Sequence, residues 1–219
     1  MDYERFLQLL QIEQPEVFVE RLLRAISEIY RFNADRYEPE LDDLQVFGFQ
    51  VYRNSWAAIE DAVENISGVQ TARPNNSLEV VVAGHVRFHV YRGGNDETYD
   101  IYSYDLSTGT ATKASLPRIN AGQLSLFDST EPGEDNLWRL RELVVVHAGN
   151  PQIGLTGVWV GAPLDDARWA WVLPLYQRPS GGEELESDVP PEISPFDSLS
   201  EPDLDIASLD APEAVAESE

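Results

Sequence analysis

Apolar residues recur at helical spacing in the first third of the chain and shift to a two-residue period from residue 77 onward. Over residues 2–10, Tyr3, Phe6, Leu7 and Leu10 share one side of a helix. Pro15 suits the first turn of a second helix, where its missing N–H costs nothing, and Phe18, Leu22, Ala25, Ile26 and Ile29 form its apolar face. Gln45–Tyr52 alternates and reads as a strand. A third helix is expected to start near Asn54 or Ser55, both good N-caps, with Trp56, Ile59, Val63 and Ile66 buried and Gly68 just past its end.

The later strands are expected at Leu78–Val82 and Val86–Arg92, the latter with Val86, Phe88 and Val90 opposite Arg87, His89 and Tyr91. Tyr99–Leu106 and Thr110–Ser115 read as a hairpin. Leu143–His147, Leu155–Gly161 and Trp169–Leu175 read as a meander turning at Gly149-Asn150-Pro151 and at Ala162-Pro163. Helices in a row followed by strands in a row imply an α+β fold with a mainly antiparallel sheet. Residues 117–135, punctuated by Pro117, Gly122, Pro132 and Gly133, read as an exposed loop. The expected organisation is one domain over 1–178 and a disordered acidic tail over 179–219, rich in Pro, Ser, Asp and Glu.

Charge narrows the function. Of 219 residues, 15 are Lys or Arg and 39 are Asp or Glu, a net charge of −24. No basic residue follows Arg178, while 13 acids do, which leaves −11 on the part before the tail. A phosphate backbone is bound by cations that displace its counterions, so direct nucleic-acid binding is not expected. Arg87, Arg92, Arg118, Arg139 and Arg141 are the candidates for a local basic patch. The absence of cysteine excludes disulfides and thiolate metal sites. No run approaches a membrane span and no signal-peptide pattern opens the chain, so the expected location is the cytoplasm. Asn65-Ile66-Ser67 and Asn75-Asn76-Ser77 match the glycosylation pattern by chance in that setting.

The expected loop contains Gln123-Leu124-Ser125-Leu126-Phe127. These five residues resemble the linear motif by which bacterial DNA polymerases, repair factors and clamp-loader parts bind the DNA sliding clamp. The resemblance implies that Gln123 occupies a polar subsite and that Leu124, Leu126 and Phe127 serve an apolar cleft on that partner. It extends to no other part of the chain. The competing account is that the apolar three pin the loop to the domain's own core.

Other constellations are weaker. His85, His89 and His147, with Asp100 or Asp105, contain the residue types of a hydrolase, but no HExxH or similar spacing accompanies them. Solvated or core-edge histidines are expected, with no metal and no cofactor. Gly93-Gly94-Asn95-Asp96-Glu97 lacks the Lys-Ser/Thr of a phosphate loop and reads as a turn. Ser125 and Ser129 have no nucleophile-elbow context. Trp169 and Trp171 are expected to point the same way from one strand. In the tail, Ile193, Phe196, Leu199, Leu204, Ile206 and Leu209 alternate with acids, a composition seen in partner-binding segments and in solubilising tails alike. Three functions follow: an accessory protein recruited to the clamp, an acidic antitoxin-like or DNA-mimicking inhibitor of a basic partner, or a hydrolase using the histidines.

Overall fold

A computed structural model describes residues 3–96, 98–107, 110–125, 134–165 and 168–179. The acidic tail therefore lies outside the described residues, as do Leu126, Phe127 and Ser129. The architecture is α+β: three helices, then a six-stranded sheet with a helical crossover in the middle.

Helix α1 (Tyr3–Leu10) and helix α2 (Pro15–Ala34) follow the sequence pattern, with Pro15 in the first turn of α2. Helix α3 (Leu44–Val63) corrects it. Gln45–Tyr52 is helical, and the helix starts ten residues before Asn54. Asp43 is its cap, accepting from the backbone N–H of Gln45 and Val46 at 2.8 Å each. Phe47, Gly48, Val51, Ser55, Trp56, Ile59 and Val63 form the buried face at helical spacing. Val46 and Phe49 also sit on this helix but stay exposed, and they supply the false alternation. Gly48 leaves room for the Arg92 guanidinium, since a Cβ there would stand 2.5 Å from Nη1.

The sheet runs in sequence order through β1 (Val69–Ala72), β2 (Glu79–Val82), β3 (Val86–Arg92), β4 (Glu142–Asn150), β5 (Gly154–Asp165) and β6 (Arg168–Gln177). It is mixed. Four pairings are antiparallel, and the central β3–β4 pairing is parallel, with Arg87 opposite Glu142 and Arg92 opposite His147. A parallel pair needs a long crossover, usually helical. Residues 93–141 provide it, with a 3₁₀ turn at Ile101–Ser103, helix α4 (Ala111–Ser125) and the short helix α5 (Glu134–Leu137). The strands expected at 99–106 and 110–115 give way to a 3₁₀ turn at Ile101–Ser103 and to the first turns of α4, and α4 takes up residues 117–125 of the expected loop. Thr110 caps α4 by accepting from Lys113 N–H at 3.2 Å, and Lys113, Leu116, Pro117 and Asn120 make its buried face. Pro117 removes one internal hydrogen bond, yet the helix continues through it.

Helices α1–α3 cover one face of the sheet, where Val80, Val82, Phe88, Val90, Leu143, Val145, Val158 and Val160 pack. Leu116 and the 3₁₀ turn's Ile101 pack on the other face, against Tyr91, Val144, Val146, Ala148 and Trp159. Strand β4 is buried on both faces, which is why it carries the consecutive apolar run Leu143–Val146. Strand β5 continues through the expected turn at Ala162-Pro163, with irregular register there. Ala162 pairs with Trp171 and Pro163 with Trp169, so β6 carries one extra residue. The bulge turns the two tryptophans to opposite sides: Trp171 joins the first core and Trp169 the second. Gly157 accommodates the Trp159 indole, because a Cβ would lie 2.1 Å from it. Gly157→Ala is expected to cost about 1–3 kcal/mol, as overpacking does, read as a lower urea midpoint; an unchanged midpoint would show the indole can swing aside. Among the described residues no helix is long and apolar enough to cross a membrane.

Candidate functional site

The entry to β4 brings together three buried polar side chains, His89, Asn120 and Glu142. Side chains alternate across a strand, so Arg141 and Glu142 leave it on opposite faces.

On the second face, Glu142 is buried, its side chain 7% exposed. His89 Nε2 donates to its Oε2 at 2.8 Å and Arg87 Nη1 to its Oε1 at 2.9 Å. A carboxylate oxygen only accepts, so Nε2 carries the proton and the buried Nδ1 is left without a partner. Burial pushes the Glu142 carboxyl up, but hydrogen bonds and charge from His89 and Arg87 outweigh it and hold the group below its ordinary value. Arg87 also reaches Glu79 at 3.5 Å. Asn120 of α4 ties the backbone down: its Nδ2 donates to the carbonyls of Glu142 and Pro163 at 2.8 Å, and its Oδ1 accepts from Glu142 N–H at 3.3 Å.

On the first face, α1 and the segment before β4 enclose an open pocket of about 320 Å³ lined by Arg5, Gln8, Leu9, Gln11, Trp138, Arg139 and Arg141. Trp138 stacks on Trp171 with ring centroids 4.5 Å apart, and Trp171 Nε1 donates to Leu137 O at 2.9 Å, which fixes that wall. Burial and then the neighbouring Arg139 charge lower the pKa of Arg141. Its Nη1 is buried without an acceptor.

Two of the four docking residues read from the sequence join this region. Gln123, in the last turn of α4, accepts through Oε1 from Arg141 N–H at 3.1 Å. Leu124 is half-buried against the first core. Leu126 and Phe127 lie outside the described residues.

The histidines do not form one constellation. His85 Nδ1 donates to Ala83 O at 2.8 Å, within its own turn. His89 meets Glu142 on the second face. His147 is fully buried on the first, 3.0 Å from Tyr30 Oη. Asp100 accepts from Tyr102 N–H at 2.9 Å, and Asp105 from Ser107 N–H and Oγ. The carboxylate that does meet a histidine is Glu142, which the sequence reading passed over because only the parallel register brings it there.

The five arginines of the proposed patch also part company. Arg87 pairs with Glu142 and Glu79, and Arg92 donates to Asn95 Oδ1 and Gly149 O. Arg118 is exposed on α4, and Arg139 and Arg141 line the same pocket as Arg5 from the far N-terminus. Comparison with family models, curated proteins and solved structures yields no match to this chain.

Proposed function

We propose that this chain is an accessory interaction protein recruited to the bacterial DNA sliding clamp through Gln123–Phe127. The observation that carries the reading is the residue type at each of these five positions. Their place is compatible with it: Gln123–Ser125 form the end of α4, and Ser125 is exposed. The histidines offer a hydrolase less, since each is engaged in a different part of the fold.

Docking as an extended peptide requires residues 123–125 to leave the helix. That breaks the Gln123–Arg141 hydrogen bond, worth about 1 kcal/mol net, and exposes half of Leu124, about another 1 kcal/mol. Such a cost leaves the peptide open in a few per cent of molecules and weakens binding by roughly thirtyfold relative to a free peptide. The anchors Leu126 and Phe127 would each bury apolar area worth about 1.5–3 kcal/mol. Replacing both with Ala is expected to lower clamp affinity by two orders of magnitude or more, at about 1.4 kcal/mol per tenfold. Fluorescence anisotropy with purified clamp measures this, alongside a melting curve of the variant. Wild-type protein that fails to bind, or binding that survives the double substitution, rejects the proposal. A large fall in melting temperature assigns these side chains to the core instead.

The charge of −24 favours a second reading, an inhibitor that meets a basic partner through its acidic surface, with charge setting association rate and selectivity. Steep loss of partner capture with added salt would mark it.

A further inference from the structure

We propose that residues 38–49, the turn before α3 and the first turns of that helix, form a docking surface for a basic, amphipathic segment of another protein. Eight large apolar side chains stand exposed among the described residues, and four of them fall here: Leu41 at 80%, Phe49 at 65%, and Leu44 and Val46 at 40% each. Single exposed apolar residues are ordinary, but a local group of them marks a surface that another molecule covers.

Charge selects the kind of partner. Glu38, Glu40, Asp42 and Asp43 stand among and just before the apolar four, and no Lys or Arg occurs between Arg36 and Arg53. Those two flanking arginines are laid over rings of their own domain, Arg36 over Phe32 at 3.5 Å and Arg53 over Trp56 at 4.5 Å. Helix stability explains part of the acidity, since Asp43 caps α3 and Asp42 accepts from Glu38 N–H at 3.2 Å. It does not explain the exposed Glu38 and Glu40, or the exposed hydrophobics beside them. An apolar patch with an acidic rim complements apolar anchors flanked by Lys or Arg, where charge sets selectivity and association rate. A second copy fits poorly, because a twofold contact centred here brings the same carboxylates together. An anionic lipid surface is repelled by them.

The surface is held in shape from within. Phe47 packs its ring against Tyr30 and Tyr37, with centroids 6.1 and 5.8 Å apart, and Gly48 closes on the Arg92 guanidinium. With Phe47, Gly48 and Val51 buried, the helix carries Val46 and Phe49 on its outer side, so a partner loses little entropy in ordering them. Its place also leaves the rest of the molecule free. Gly48 lies where Arg92 faces His147, while Gln123 meets Arg141, next to Glu142 where it faces Arg87. This surface and Gln123 therefore sit at opposite ends of the parallel pair.

The full chain is to be titrated with three labelled helical peptides: leucines on one face and lysines on the other, the same lysines with serine for leucine, and the same leucines with glutamate for lysine. Fluorescence anisotropy should show saturable binding of the leucine–lysine peptide, about tenfold or more tighter than either of the others. Amide shifts in NMR should centre on residues 38–53. Phe49→Ser should weaken binding about tenfold or more, as loss of a central anchor does, and leave the melting temperature unchanged because the ring is exposed. Glu38→Gln combined with Glu40→Gln should weaken it less and flatten its salt dependence. Tyr102→Ser, which removes an exposed aromatic elsewhere, should have no effect. Equal binding of the three peptides, equal binding by Phe49→Ser and wild type, or shifts that follow acidic residues elsewhere would each overturn the assignment. So would a wild-type dimer in sedimentation that Phe49→Ser dissociates, which gives the surface to a second copy, or capture by phosphatidylcholine vesicles, which gives it to lipid. None of these measurements involves the clamp or residues 123–127, so their failure is separate from failure of the docking peptide.

Discussion

Lowering the pH from 7.5 to 5.0 will weaken the fold by about 2 kcal/mol, and His147 is the expected cause. This imidazole is fully buried on the first face of the sheet, 3.0 Å from the Tyr30 hydroxyl. Burial, helped by the Arg92 charge, pushes its pKa from 6.5 down to about 3. Below pH 6.5 the unfolded chain therefore takes up a proton that the folded protein refuses. Stability is complete above 6.5 and falls as pH drops, by about 1.4 kcal/mol per pH unit once well below it, until the folded pKa is reached. The interval between 6.5 and 5 is informative because ordinary carboxylates titrate lower. Urea unfolding of the wild type at pH 7.5 and 5.0 measures the loss. His147→Gln should be less stable at pH 7.5, since it opens a packed site, but nearly flat across this interval. A wild type that does not respond, or a response that persists in His147→Gln, would assign the effect elsewhere.

The largest loss from a single substitution is expected at Glu142. Its carboxylate accepts from both His89 and Arg87, and its own backbone is held by Asn120 of α4. Removing one member of a buried charged set leaves its partners unsatisfied, at about 3–5 kcal/mol. Arg87 is 44% exposed and can turn to water, but His89 is 3% exposed and cannot. Glu142→Ala should therefore fall within that range, and Glu142→Gln should cost less because its carbonyl can still accept from Nε2. Midpoint shifts in urea at pH 7.5 report both. Equal losses for the two would mean that side-chain volume, not the hydrogen bonds, is what matters at this position. A double-mutant cycle with His89→Ala should show coupling, since the two side chains are in direct contact.

These sites show where sequence reasoning reached and where it stopped. Strand β3 was legible to the residue, and β4, β5 and β6 were legible as strands, because alternation and β-branched runs are local consequences of burial on one or both faces. Helix α3 was not, because Val46, Phe47, Phe49, Val51 and Tyr52 satisfy both periods, and burial of Phe47 and Val51 against the neighbouring elements settles which applies. Helix α4 was hidden by Pro117 and by an apolar face of only Leu116 and Pro117, with Lys113 and Asn120 completing it. Thr110 ahead of that segment was a readable cap. The docking peptide was visible as letters, while the engagement of Gln123 by Arg141 N–H was not.

By itself the sequence determined the α+β class, the early helices, the later strands, the acidic balance and the five-residue peptide. Each depends on residue type or on neighbours a few positions apart. The parallel joining of β3 to β4, the meeting of Glu142 with His89, and the pocket built from Arg5, Arg139 and Arg141 were decided only by the tertiary structure. They unite residues 53 or more positions apart, and no local period encodes such a distance. Which face a polar side chain occupies follows from strand register, and register is set by packing of the whole sheet against its helices.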